Sequence, residues 1–123
     1  MKFDELTLGR FRDVEEVEIE TVKADGTPRR TVIWIVADDQ DAYVRSVRGA
    51  RGRWYRDLVA RPTAALLPDG DRIEVEAHAA TDDASIELVS RLLREKYGHA
   101  SRASTESMLV PKTLHTTLRL EPR

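Results

Sequence analysis

The residues of this chain best suited to chemistry are arginines gathered in one short segment. Six arginines and a single acidic residue, Asp57, lie between Arg45 and Arg61, so the segment carries a local charge of +5. The whole chain has a net charge of −2, and the rest of the sequence is therefore acidic. Positive charge concentrated in one segment of an acidic protein indicates an anionic ligand.

The same segment has the character of a binding loop. Gly49 and Gly52 interrupt it, and Trp54 and Tyr55 begin a pattern of helical spacing that runs to Ala60. A loop that leads into a helix offers guanidinium groups and free N–H groups at the helix N-terminus, and both bind phosphate. Four arginines are predicted to bind the anion: Arg45, Arg48, Arg51 and Arg53.

Two other interpretations of the loop stay open. The arginines could form a solvated turn, or they could bind nucleic acid with Trp54 and Tyr55 stacking on bases. The basic segment is short and the sequence pI is near 5.9. A nucleic-acid partner is therefore disfavoured, because such domains are normally basic throughout.

Most other kinds of active site are excluded or disfavoured by composition. The chain has no cysteine, so thiolate chemistry and cysteine-based metal sites are impossible. His78, His99 and His115 are dispersed without metal-ligand spacing, and no Gly-x-Ser-x-Gly motif is present. We expect no metal site, and no catalytic residues can be assigned.

Length and composition indicate one globular domain spanning residues 1–123. Hydrophobic residues make up 41% and charged residues 34% of the sequence, which is typical of a folded protein. No apolar run approaches the roughly 20 residues needed to cross a bilayer, so no membrane partner is expected. Acidic residues lie near the N-terminus, where a signal peptide would need an apolar stretch, and the predicted location is cytoplasmic.

The first half of the chain predicts an antiparallel meander. Residues 15–24 alternate between apolar and acidic side chains, and Asp25-Gly26 is a strong hairpin signal. Residues 30–37 are apolar on both faces, which predicts a central strand covered on both sides. A third strand is predicted from Ala42 to Arg45, directly before the basic loop.

The second half predicts more strands and one long helix. Asp82 is the expected N-cap of a helix over residues 83–97, and residues 101–107 are expected to be a mobile connection. The remaining predicted strands cover residues 64–67, 73–79 and 114–120. The fold class is therefore mainly β (α+β): a six-stranded antiparallel barrel with one long helix outside and a short helix after the third strand.

Four segments together resemble the flavin-binding split-barrel superfamily, which includes pyridoxamine phosphate oxidases and deazaflavin-dependent reductases. These segments are Asp25-Gly26-Thr27, residues 32–36, residues 43–46 and residues 54–62. The Trp-Tyr-x-Asp-Leu helix is most similar to the deazaflavin-dependent nitroreductase branch. With the closing segment 116–120, the whole chain resembles a small bacterial family of unknown function within that fold.

The resemblance implies a split β-barrel that holds the phosphate of a flavin-type cofactor at a homodimer interface. By this resemblance Arg45 and Ser46 occupy the strand-end phosphate positions, and residues 48–53, with Gly49 and Gly52, form the loop. Trp54 stands where the FMN-type pattern favours lysine, so any phosphate role passes to Arg51 or Arg53. This departure favours a deazaflavin coenzyme over FMN and leaves open a member that binds neither.

Two hypotheses of function follow. The first is a flavin- or deazaflavin-dependent oxidoreductase of undetermined substrate, in which Trp54 or Tyr55 shapes the pocket of the ring and the chemistry belongs to the cofactor. The second is a non-catalytic dimeric barrel that binds another small anionic ligand or a protein partner.

Overall fold

The computed structural model describes residues 2–123 and begins with a helix that the sequence patterns did not predict. Helix α1 spans Glu5–Asp13. The Asp4 carboxylate caps it by accepting a hydrogen bond of 2.8 Å from the Thr7 N–H. Leu8 and Phe11 of α1 are fully buried in the barrel core.

Within residues 2–123, seven strands form one antiparallel sheet. They are β1 (Val17–Val22), β2 (Pro28–Ile33), β3 (Val36–Ala37), β4 (Ala42–Val44), β5 (Thr63–Leu67), β6 (Ile73–Ala79) and β7 (Leu118–Pro122). Their order across the sheet is β2-β1-β5-β6-β7-β4-β3. The sheet curls into a half-barrel with helices around it, which confirms the predicted α+β split barrel with seven strands instead of six.

The structure has one strand more than predicted because residues 30–37 do not form a single central strand, and that prediction is wrong. Residues in this segment belong to β2 and β3, which lie at opposite edges of the sheet. Between them, the backbone N–H and carbonyl of Ile35 bond to the Tyr97 hydroxyl at 3.3 and 3.2 Å, instead of continuing a strand ladder. The apolar side chains of this segment therefore divide between the core and an exposed edge, where Val32 is 56% exposed.

The hairpin between β1 and β2 and the long helix are confirmed. Gly26 has φ +89° in the hairpin turn, a conformation that favours glycine. Helix α3 spans Asp83–Tyr97, and Asp82 caps it by accepting a hydrogen bond from the Ser85 N–H. The helix packs outside the sheet, where Val89 is fully buried.

The segments around the basic loop and before the last strand contain short helices. Helix α2 spans Arg53–Ala60, as predicted to within one residue. Helix α4 (Arg102–Ser107) replaces the expected mobile connection, and helix α5 (Pro111–Leu114) delays the start of β7. Threonine hydroxyls hold these turns: Thr113 Oγ1 donates to the Val110 carbonyl at 2.8 Å. None of the helices within residues 2–123 has the length and apolar composition needed to cross a bilayer.

Candidate ligand-binding cleft

A cleft of about 800 Å³ separates the basic loop from the edge strand β2. The lining combines aromatic and aliphatic side chains with several cations. Its apolar members include Val32, Trp34, Val47, Trp54 and Met108. Its basic members are Arg29, Arg30, Arg45, Arg48 and Arg53, and Glu16 is its one acidic residue.

Arg45 lies at the end of β4 and is almost completely buried. Its guanidinium donates hydrogen bonds of 2.9 to 3.1 Å to four uncharged acceptors, namely Thr117 Oγ1, Ser90 Oγ and the carbonyls of Ile86 and Met108. Burial, with a smaller contribution from Arg94, lowers the pKa of Arg45 to about 10, so the group remains charged at neutral pH. Arg45 therefore ties the sheet to α3 and to the segment after α4.

Three other arginines of the loop differ completely from Arg45. The side chains of Arg48, Arg51 and Arg53 are exposed. None of their guanidinium groups forms a hydrogen bond or ion pair with any of residues 2–123. Arg48 and Arg53 line the cleft, whereas Arg51 lies outside its lining. Their guanidinium groups are therefore free to bind an anion.

The N-terminus of α2 is also open to an anion. Gly52 is its N-cap, no side chain caps the helix, and its first turn contains no acidic residue. The first N–H groups of a helix lack intrahelical partners and attract negative charge. Together with Arg53, this helix end presents several donors at one side of the cleft.

Tight packing fixes the position of the loop. The Ser46 N–H donates to Thr116 Oγ1 at 2.9 Å, and Ser46 Oγ donates to the Gly49 carbonyl at 2.8 Å. A Cβ atom at Gly52 would collide with Ser46 Oγ, and one at Gly49 would lie 2.7 Å from the Lys112 carbonyl oxygen. Gly49 also has φ +66°, so both glycines are required by the geometry of the loop.

The two aromatic residues of α2 have different environments. Trp54 is buried in the barrel core and also lines the cleft. Tyr55 is half-buried outside the lining, and its hydroxyl lies 3.5 Å from the His115 carbonyl oxygen. Their rings meet edge to face, with centroids 6.4 Å apart. Trp54 can contact a ring bound in the cleft directly, whereas Tyr55 supports Trp54.

Six of the nine predicted cofactor-binding residues line the cleft and three do not. The six are Arg45, Ser46, Arg48, Gly52, Arg53 and Trp54. The three outside the lining are Gly49, Arg51 and Tyr55. The sequence patterns missed the contributions of β2, of α4 and of the residue that follows each, which include Val32, Trp34, Ser104, Ser107 and Met108. The Arg29-Arg30 pair after the hairpin was the available signal.

Solved structures define the class of fold. HutZ, described as the heme storage protein from Vibrio cholerae, is 16% identical with a TM-score of 0.69, covering 97% of this chain and 89% of that chain. An F420-H2 dependent reductase is 18% identical with a TM-score of 0.66, and the match covers 87% of this chain and 94% of that chain. A putative pyridoxamine 5'-phosphate oxidase from Listeria innocua is 13% identical with a TM-score of 0.63, and the match covers 96% of this chain and 90% of that chain. The chain therefore has the pyridoxamine phosphate oxidase-like split-barrel fold.

Within that class, residues 7–120 match the model of the family described as "uncharacterized protein conserved in bacteria (DUF2255)", and the chain belongs to this family. The resemblance to the split-barrel superfamily and the resemblance to a small bacterial family of unknown function are both confirmed. A search of the curated proteins finds no match. At identities below one fifth, the structural neighbours establish the fold and leave the ligand open.

Proposed function

We propose that the cleft binds a phosphorylated flavin-type cofactor, either a deazaflavin coenzyme or FMN, and that the protein is an oxidoreductase. The observation that carries this proposal is the pair of exposed, unpartnered arginines, Arg48 and Arg53, beside the uncapped N-terminus of α2. Two guanidinium groups and a helix end form a recurrent combination for phosphate.

The rest of the cleft fits the ring of such a cofactor. Trp34 and Trp54 supply aromatic surface, and Val32 and Met108 supply aliphatic surface, beside the cationic groups. A volume of about 800 Å³ is within the range of ordinary cofactor sites. When bound, the cofactor would supply hydride transfer, and the protein would supply position and electrostatics.

Arg45 contributes to this site through its fixed charge. Four of its N–H groups are taken by neutral acceptors of the protein, so its guanidinium is held in place beneath the cleft. A buried cation without a carboxylate partner makes the floor of the cleft positive, which favours an anionic ligand. In this proposal Arg48 and Arg53 bind the phosphate directly, and Ser46 and Gly52 hold the loop that carries them.

The proposal includes a homodimer. Val32 and Val47 line the cleft and are 56% and 47% exposed, so the apolar part of the cleft is open on one side. A second copy that covers this side would enclose the ring and shield these residues from water. Light scattering of the purified 14.0 kDa chain should give the mass of a dimer, and a monomer at micromolar concentration would contradict this part of the proposal.

Heme is a second anionic ring ligand to consider because HutZ is described as a heme storage protein. Heme iron in proteins is commonly held by an axial histidine. No histidine is among the cleft-lining residues of the described chain, 2–123. The composition of the cleft therefore favours a flavin-type ring over heme.

The test is a titration of freshly purified, ligand-free protein with the deazaflavin coenzyme, FMN and heme in parallel, followed by absorption and fluorescence. We expect one of the two flavin-type cofactors to bind more tightly than about 100 µM, which corresponds to roughly −5.5 kcal/mol. If neither binds at this concentration, the redox function is wrong and a non-catalytic barrel that binds another anion or a protein takes its place. Binding of heme but of neither flavin-type cofactor would also contradict the flavin-type proposal and would assign the cleft to heme.

A further inference from the structure

We propose that Glu76, His78 and Glu121 form a binding site for one divalent transition-metal ion such as Zn²⁺. The site lies on the outer face of the sheet and is built by β6 and β7. It uses none of the residues that line the cleft, so it stands independently of the proposed cofactor.

Strand pairing brings the three side chains together. Glu76 lies directly opposite Glu121 in the register of β6 and β7, and His78 follows Glu76 by two residues, on the same face of the sheet. His78 Nε2 lies 3.0 Å from Glu76 Oε1 and 3.2 Å from Glu121 Oε2. Nitrogen and oxygen atoms that share a zinc ion at about 2.0–2.2 Å each are separated by roughly 3.0–3.5 Å. The observed separations match that spacing.

The histidine nitrogen lacks any other partner. His78 Nε2 is closed off from solvent and forms no hydrogen bond with any of residues 2–123, although two carboxylate oxygens lie close to it. The distances from Nε2 to the two oxygens are those of hydrogen bonds, but the angles at the Nε2–H group are too far from linear for either bond to form. When the imidazole proton is on Nδ1, the lone pair of Nε2 faces two carboxylate oxygens, which accept hydrogen bonds and cannot donate to it; a metal ion between the three atoms would take up that lone pair.

The charges around the cluster also favour a cation. Elsewhere on this face, Glu20 pairs with Arg30 and Arg72, and Arg72 also pairs with Glu74. Glu121 pairs with the guanidinium of Arg119, which bonds to its Oε1 at 3.0 Å, whereas Glu76 pairs with no arginine or lysine of residues 2–123. The cluster therefore keeps an excess negative charge when His78 is neutral, and Oε2 of Glu121 remains free to coordinate.

The ligand set defines the class of metal. One imidazole and two carboxylates, with no thiolate, suit Zn²⁺, Mn²⁺ or Fe²⁺. The side chains of Glu76 and Glu121 are 45% and 24% exposed, so an ion can reach the cluster from solvent through the carboxylates, and a water molecule can complete the coordination. Histidine spacing alone predicted no metal site, because Glu121 joins the cluster only through the pairing of β7 with β6.

The test is calorimetric titration of chelator-treated, full-length protein with ZnCl₂, with MnCl₂ and CoCl₂ as further probes. We expect one Zn²⁺ per chain, and a loss of tenfold or more in affinity in His78→Gln and in Glu121→Gln. His99→Gln is the matched control, because His99 is exposed and lies outside the cluster, and it should bind Zn²⁺ as the wild type does. Bound Co²⁺ should give visible d–d absorption bands that disappear in His78→Gln.

Two results would overturn the proposal. One is a wild-type protein that takes up no Zn²⁺ at millimolar concentration, and the other is equal affinity in the wild type and in His78→Gln, which would indicate scattered surface binding. Circular dichroism of each metal-free variant checks its folding. Glu76→Gln replaces any variant that does not fold, because it removes a ligand without touching the bond between Arg119 and Glu121.

Discussion

Two groups of cations in this protein have opposite environments, and the sequence does not distinguish them. Arg45 is buried and Lys96 is half-buried, and their hydrogen-bond acceptors are neutral hydroxyl and carbonyl oxygens. Arg48 and Arg53 are exposed at the cleft and have no partner within residues 2–123. Arg45 and Arg48 are only three residues apart, yet one completes the fold and the other is free for a ligand.

This comparison separates stability from binding. A buried cation with neutral acceptors cannot be removed without leaving those acceptors unsatisfied, so its loss should weaken the fold. An exposed cation without partners contributes little to the fold, so its loss should be visible only when the ligand is present.

The largest effect is expected for Arg45→Met, which keeps much of the side-chain volume and removes the guanidinium. Four acceptors, at Thr117 just before β7, at Ile86 and Ser90 of α3 and at Met108 just after α4, would lose their donor. We expect the free energy of unfolding, measured by urea denaturation, to fall by about 2–5 kcal/mol, because each buried acceptor left without a donor costs roughly 1–3 kcal/mol. Arg48→Met is the matched control and should change it by less than about 0.5 kcal/mol. Similar losses in both variants would refute the division.

The environment of Lys96 should make the free energy of unfolding depend on pH. Its ammonium group donates to the carbonyls of Phe11 and Ile35 at 2.7 and 2.6 Å, and burial lowers its pKa from 10.5 to about 8. Above pH 8 the folded protein loses this proton while the unfolded chain keeps it, so stability should rise with pH. We expect a gain of roughly 1–2 kcal/mol between pH 8 and 9.5.

The control for this prediction is Lys96→Met, whose stability should be flat over the same pH range. Measurements should stop below pH 10, because burial raises the pKa of Tyr97 and Tyr43. These tyrosines ionise first in the unfolded chain, and they reverse the slope at higher pH. A wild-type protein that loses stability from pH 8 to 9.5 would show that the Lys96 site is not as described.

A smaller effect is expected where the buried and exposed parts of the loop meet. In Gly52→Ala the new methyl group collides with Ser46 Oγ and displaces its bond to the Gly49 carbonyl. We expect a loss of roughly 1–2 kcal/mol in unfolding free energy. The double variant Ser46→Ala, Gly52→Ala should be more stable than the sum of the single changes predicts, because the colliding oxygen is gone. Strict additivity of the two substitutions would argue against this contact.

Local signals predicted the parts of the fold that depend on neighbouring residues. Asp25-Gly26 marked the hairpin, and Asp82 marked the start of α3. Residues 30–37 were misplaced because an apolar run does not reveal whether its two halves pair with the same neighbour. Helix α4 was missed because its short, polar sequence gives no hydrophobic period, and its place is set by packing of Met108 and Thr105.

The candidate site was predictable on one side only. The arginine-rich loop was visible because its charge is contiguous, and Arg48 and Arg53 do line the cleft. Trp34 and Val32 reach the same cleft because the sheet curls, and this depends on pairings between distant strands. Sequence also could not separate buried Arg45 from its exposed neighbours, since the acceptors of Arg45 lie at Ser90 and Thr117.

The most direct test of the central claim compares phosphorylated and dephosphorylated ligand, FMN against riboflavin, in the wild type and in Arg48→Ala, Arg53→Ala. We predict that the wild type prefers FMN and that the double variant loses this preference by about 1.5–3 kcal/mol per charged hydrogen bond removed. Riboflavin affinity and the unfolding free energy should stay nearly unchanged. Arg91→Ala, which removes one positive charge from the exposed surface of α3, should keep the preference. An undiminished preference for FMN in the double variant would contradict the account.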